Sequence, residues 1–440
     1  MNRFELPSSV NLQASDAVRQ RRRILVILIL ATAFSDLDRQ ILGMLLEPIR
    51  VEFQLSDTEL GLLSGLAFTT LYAALAVPLA VLADRISRRG VISLSLATFS
   101  GMTALCGMAP GFIYLLLFRM GVAAGEAGML PASQALIADH FPKNQLTSAM
   151  SKLYISGSVG GIIAFMLGGF LSGAIGWRLT YIVIGIPGIL VAIASYLFLP
   201  KAKAYMLASA TGETPTRPRF RATLDFLWSQ RAYRRLLLAN GVWSFAGAGV
   251  ALWAAPFISR TYQLSPAQIG LVLAVVISLA GAIGLFVVGH LAEKMSHKDP
   301  RWMLWTVAIA LLLATPLGWV TFLNESGAIA MATGCAVAFL AVSSQGAIAS
   351  VVQFLVPPSM RSVAAAVKHL LVTALGAGLG PLIVGVISDH LAARFGNEAI
   401  RYSLAAASTF WALSGLLFIY ASRTFVEDVR RAEAPDLELK

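Results

Sequence analysis

Charge is what this sequence has least of. Only 13% of its 440 residues are charged, against roughly 25% in a soluble domain. Hydrophobic residues make up 57%, more apolar surface than one soluble core absorbs. The chain therefore needs a second apolar solvent, which is lipid. Cysteine is nearly absent. Cys106 and Cys335 lie in apolar stretches, with no C-x-x-C, so no disulfide framework or redox motif is expected. Both read as small buried apolar residues. The five histidines (His140, His290, His297, His369 and His390) do not cluster. Neither H-E-x-x-H nor G-x-S-x-G occurs, which excludes the usual polytopic hydrolases. Without G-x-x-x-x-G-K-[ST] an ATP-driven pump is excluded too. A channel is disfavoured because no filter-like loop is present. No cofactor or metal is expected, the proton being the coupling ion.

Long apolar runs are what the sequence does have. A spanning helix needs about 20 apolar residues. Twelve such spans are predicted, near 24–47, 57–83, 90–109, 111–137, 146–174 and 178–199, then 233–259, 266–292, 301–322, 327–355, 362–387 and 399–422. The N-terminal "RQRRRILVILILATAF" resembles a leader, but the apolar run continues to Leu46 without a small-residue cleavage site. It reads as the first span.

The net charge is +11, and the bases lie between spans rather than on one basic face. Nucleic acid is therefore not an expected partner. Arg19 and Arg21 to Arg23, then Arg85, Arg88 and Arg89, then Lys143, the 201–235 stretch and finally Lys294, Lys298 and Arg301 fall in alternate loops. The opposite loops hold only Arg50, Arg178, Arg260, Arg394 and Arg401. By the positive-inside rule both termini are cytoplasmic, in a bacterial inner or plasma membrane. A functional monomer is expected.

The Thr-, Pro- and Arg-rich stretch 200–232 reads as a cytoplasmic linker. It separates a bundle over 1–199 from a second over 233–440 that ends in a cytoplasmic tail. The halves look like copies. "AVLADRISRR" (Ala80 to Arg89) aligns without a gap with "GHLAEKMSHK" (Gly289 to Lys298), pairing Asp84 with Glu293 and Arg85 with Lys294. Repeated bundles are a carrier signature, because two similar halves can rock about a site.

The loop A-x-x-x-D-R-x-S-R-R resembles the cytoplasmic signature of the major facilitator superfamily, with Ala80 and Ser87 in place of two glycines. "DLDRQILGMLL" in span one is similar to the D-R of the spinster-like lipid transporters. "FRMGVAAGEAGMLPASQALIADHFP" resembles their fourth helix, and "GWRLTYIVIGIPGIL" the start of their sixth. The anion:cation symporters share a first-helix D-R and a fourth-helix E-A. The resemblance implies an all-α membrane protein of twelve helices in two pseudosymmetric six-helix bundles. It also implies rocker-switch alternating access.

Charges inside spans are costly and are functional by default, at roughly 2.5–3.5 kcal/mol each on insertion scales. Asp38 lies 14 residues after Ile24, about 21 Å along a helix, too deep for any shift of span ends to bring it to a surface. In span four, Arg119 falls near the same level, with Glu126 two turns nearer the cytoplasm on the same face. Asp38 and Arg39 are adjacent, so they point about 100° apart. This predicts two couplings, Asp38 with Arg119, and Arg39 toward a cavity with Glu126 in reach. Asp38 is expected to carry the proton, Glu126 to be a second titrating or substrate-competing acid, and Arg39 to anchor an anionic group. The resemblance implies the same cast. Asp36, three residues before Arg39, is an open alternative partner.

In span eleven, His369 is a candidate for proton relay or head-group contact. Lys368 beside it can snorkel to the surface. The loop acids and bases are expected to gate the cytoplasmic side. Asp84 would lie near Arg361 at the start of span eleven, and Asp139 near Arg85, Arg88 and Arg89. The expected function is proton-coupled transport of an amphipathic anion, lysolipid- or sphingoid-like, across the bilayer. The alternative is a small organic-anion symporter or multidrug exporter of the same superfamily.

Overall fold

The computed structural model describes residues 8–85, 87–200, 220–357 and 360–433, and every regular element among them is helical. Helix α1 (Ser8–Phe53) ends where Gln54 turns left-handed, φ 55°. Two pieces follow, α2 (Asp57–Ser64) and α3 (Leu66–Arg85). One unbroken helix was expected over 57–83; it breaks at Gly65, φ −104° and ψ −93°. A Cβ on Gly65 would stand 2.5 Å from the carbonyl oxygen of Gly378. The break thus sits where two backbones touch, which no side-chain pattern records.

Helix α4 (Arg88–Cys106) starts at Ser87, whose hydroxyl accepts from the Gly90 N–H. That explains a serine in place of a glycine in the loop motif: it is the N-cap. Helix α5 (Phe112–His140) follows the Pro-Gly turn. The run Lys143–Phe198, α6, contains Gly176 at φ +78°. There the fifth crossing turns into the sixth, at a φ that favours glycine.

Within 200–232, residues 201–219 lie outside the described residues, and α7 (Phe220–Ser229) is an amphipathic helix. Its Leu227 is buried and its Trp228 exposed. Helix α8 (Arg231–Tyr262) ends at a left-handed Gln263. The eighth crossing is α9 (Pro266–Leu273), a π-helical segment (Ala274–Leu279) and α10 (Ala280–Ser296). Then come α11 (Trp302–Leu323) and α12 (Gly327–Phe354). The eleventh crossing is α13 (Arg361–Thr373), a second π segment (Ala374–Leu379) and α14 (Gly380–Phe395). After a turn at Gly396, φ +56°, α15 runs from Ala399 to Glu433.

Among the described residues, nine stretches are long and apolar enough to cross a bilayer. Two of them, 160–198 and 366–432, are each broken by a positive-φ glycine into two crossings. With α1, whose apolar run is interrupted by Asp36, Asp38 and Arg39, the crossings number twelve. The outward side chains fit lipid. Phe286, for example, is 80% exposed, an apolar surface that hydrocarbon solvates better than water.

The repeat extends further than the loop motif. Ser56 and Ser265 each form a capping box, with Glu59 and Gln268. Their spacing is the same as that between Asp84 and Glu293. Gly61 and Gly270 also correspond in that register.

By packing, the chain falls into two units. The first comprises residues 1–39, 71–160 and 178–213. Its core includes Ile24, Leu28, Ile92, Leu136 and Leu153. The second comprises residues 40–70, 161–177 and 214–440. Its core includes Tyr233, Leu236, Val307, Leu311, Trp411 and Phe418. The second unit therefore takes in the ends of the first, second and fifth crossings.

Candidate functional site

In the first unit, α1, α4 and α5 bring four charges together. Arg119 Nη1 donates to Asp38 Oδ2 at 2.7 Å, and both side chains are 2% exposed. Thr103 Oγ1 donates to Asp38 Oδ1 at 2.6 Å. Each Asp38 oxygen therefore has its own donor. The second pair is less symmetric. Arg39 Nε donates to Glu126 Oε2 at 2.6 Å, with the Glu126 side chain fully buried and Arg39 43% exposed. Arg39 also lies 5.3 Å from the Tyr72 ring centroid. Glu126 Oε1 is buried and accepts no hydrogen bond. An orphan buried acceptor is costly, and a charged one more so.

Arg39 thus bonds Glu126. Asp36 also acts on Arg39 electrostatically, and it lies against α6, where a Cβ on Gly157 would be 3.2 Å from its Oδ2. Spacing accounts for the arrangement. Seven residues put Arg119 and Glu126 on one face of α5, and adjacency on α1 splits Asp38 from Arg39.

His369 lies exposed on α13, beside a half-buried Lys368. Of the loop residues, Arg88 pairs with Asp139 and donates to the Ala135 carbonyl at 2.9 Å, tying the start of α4 to the end of α5. Arg89 stacks 4.7 Å over the Tyr196 ring. Glu293 and Lys294 are exposed near the end of α10. The side chains of Asp84, Arg85 and Arg361 lie outside the described residues.

A second cluster, in the other unit, was missed by sequence reasoning. Arg260 at the end of α8 grips Asp57 bidentately, both bonds 2.8 Å, and Glu47 at 2.7 Å. Its side chain is 6% exposed. Ser388 donates to Asp57 Oδ2 at 2.6 Å. Asp389 accepts from the backbone N–H groups of Asp57 and Thr58 at 3.0 and 2.8 Å. A residue of α14 therefore caps the N-terminus of α2. Around this cluster, backbones meet at glycines. A Cβ on Gly61 would be 2.7 Å from the Pro381 carbonyl oxygen, and one on Gly270 would be 2.2 Å from that of Phe165. The available signal was a base, Arg260, on the face where bases are scarce, with span-end acids to meet it. Among the described residues no group of His, Cys, Asp and Glu is placed to hold a metal ion.

The sequence model of the Major Facilitator Superfamily matches residues 28–381. The chain belongs to the major facilitator superfamily. It is similar to spinster proteins within it. A bacterial homolog of the human lysosomal transporter spinster, crystallised inward-facing and unoccupied, superposes with a TM-score of 0.83 at 28% identity, covering 93% of this chain and 98% of that one. An MFS-type efflux pump of Mycolicibacterium smegmatis is 27% identical over 419 residues, 92% of this chain and 93% of the pump. The sphingosine-1-phosphate transporter SPNS2 of Xenopus tropicalis is 23% identical over 429 residues, 92% of this chain and 82% of its own. The protein is a multi-pass membrane transporter and not an enzyme. A superfamily carrier binds a small molecule and moves it across the bilayer. What the first unit offers such a carrier is an accessible guanidinium held by a buried acid.

Proposed function

We propose that this protein is a proton-coupled carrier of an amphipathic anion, lysolipid- or sphingoid-like, working by alternating access as a monomer. Both termini would lie in the cytoplasm of a bacterial-type cell. The observation that carries the proposal is the Arg39–Glu126 pair. Guanidinium binds carboxylate or phosphate in the same fork geometry, so a substrate anion competes with Glu126 for Arg39. Once displaced, Glu126 is a buried carboxylate without its cation, and it takes a proton from the aqueous phase. Asp38, with a donor on each oxygen, stays paired with Arg119 at this stage. It takes its own proton when the Arg119 contact breaks. Anion binding and proton binding thereby draw on one pair, and the conformation that breaks the pair is selected by both.

The Arg260 cluster supports an inward-facing reading, because it holds the ends of α1, α2, α8 and α14 together on the face with few bases. The spinster homolog bears the same conformational description. Spinster relatives, one of them a sphingosine-1-phosphate transporter, support a lipid-like substrate. The efflux-pump relative supports a second reading, multidrug export through the same pair.

Reconstitution in proteoliposomes tests the proposal. Arg39→Ala should weaken binding of a lysophosphatidic acid probe at least tenfold and leave folding intact. Glu126→Gln should retain binding but lose the response of transport to an imposed pH gradient. Undiminished pH-driven uptake by Glu126→Gln would refute the coupling. Preference for cationic drugs over lysolipids would select the export reading.

A further inference from the structure

A basic cavity lies in the second unit, where the last turns of α15 meet the start of α11. Its volume is about 560 Å³, and its walls are Arg301, Arg423, Val426, Glu427, Arg430 and Arg431. Four guanidinium groups thus face one carboxylate. Glu427 is occupied by Arg431 at 2.5 Å, and Asp428, on the buried side of α15, lies 3.7 Å from Arg431. Asp428 is itself engaged by the Ala232 N–H at 2.6 Å. Arg423 and Arg430 form no ion pair among the described residues. Arg301 Nε is buried and has no hydrogen-bond partner. The nearby Asp299 carboxylate accepts instead from the Arg301 backbone N–H at 2.8 Å. The cavity therefore carries a surplus of positive charge, with one buried donor, Arg301 Nε, left unpaired.

Its depth points to what fills it. Arg423 is 24 residues beyond Ala399, about 36 Å along a helix, where the hydrocarbon, about 30 Å thick, gives way to head groups. Trp302 and Trp305 stack edge to face, centroids 5.4 Å apart, next to Arg301. Trp305 Nε1 donates to Ser422 Oγ at 2.9 Å, one residue before Arg423. Tryptophans of this kind mark the membrane interface. Further into the membrane, Ile309 and Leu313 on α11 and Leu413 and Leu416 on α15 are exposed to lipid. Cationic groups at head-group level above apolar, lipid-facing side chains match a molecule with a phosphate end and acyl chains. Basic pockets between membrane helices take such head groups.

We propose that this cavity is a binding site for an anionic phospholipid, separate from the transport site. Thermal unfolding of the purified, detergent-solubilised protein tests it. Tetraoleoyl cardiolipin should raise Tm saturably, and dioleoyl phosphatidylcholine should not. Pyrophosphate at equal concentration should do little; an equal response to it would show a soluble-anion site and overturn the lipid assignment. Arg301→Gln combined with Arg423→Gln and Arg430→Gln should weaken the cardiolipin response at least tenfold. If the triple variant does not fold, Arg423→Gln alone, an exposed change, should still weaken it about threefold. Arg39→Ala should respond as the wild type does. A wild-type response in the arginine variants, or loss of the response in Arg39→Ala, would each refute the site.

Discussion

At the scale of single residues, the two buried acids differ in their surroundings rather than their chemistry. Asp38 has donors on both oxygens, and Glu126 has one oxygen without any. The Asp38–Arg119 pair should therefore behave as structure first. Breaking a buried pair from one side leaves an uncompensated charge and costs about 3–5 kcal/mol. Asp38→Asn or Arg119→Met alone should lower thermal stability strongly. The double variant should recover most of the loss, and a double-mutant cycle by thermal unfolding measures the difference. Additive losses would mean that the two side chains do not depend on each other. Both pairs were legible in the sequence, because helix periodicity alone decides which neighbours can meet. The Arg260 cluster was not. Asp57 and Arg260 are 203 positions apart, and each reads by itself as an ordinary charge at a span end.

At the scale of helices, closure rests on backbone contact. Gly61 and Gly270 occupy equivalent places in the two halves, and neither leaves room for a Cβ. Gly270→Val should keep α9 from seating against the 161–177 stretch, a neighbour in the same unit. Spin labels at Val51 and Ile329, both exposed, should then report a longer or broader distance than in the wild type. An unchanged distance distribution would show that this contact does not hold the ends together. The spans themselves were legible from hydropathy. The break at Gly65 and the two π segments were not. They shift a helix by a fraction of a turn without altering its apolar character, and only the neighbouring backbone reveals them.

At the scale of the whole molecule, the Arg260 cluster ties the ends of α1, α2, α8 and α14 together on one face. Asp57→Asn should weaken the grip of Arg260 and raise the population open on that face. Accessibility of a cysteine placed at buried Ala255 to a membrane-impermeant maleimide should report this as faster labelling. Labelling at the wild-type rate would remove the cluster from the gate. The twelve-crossing architecture and its division into repeats were visible from sequence, since lipid imposes one strong rule on every span. Which ends group together was not, because that depends on the conformational state and not on composition.

The repeat register carries a last consequence. The position in the second half that corresponds to Asp57 is Pro266. One closure, of the second crossing on the seventh and eleventh, is bolted by charge; among the described residues its mirror image, of the eighth on the fifth, shows close backbone fit at Gly270 and no ion pair. The two closures therefore answer to different levers. Acid loosens the first, and a change of side-chain volume loosens the second. A carrier made of two similar halves would thus begin to open on one chosen side.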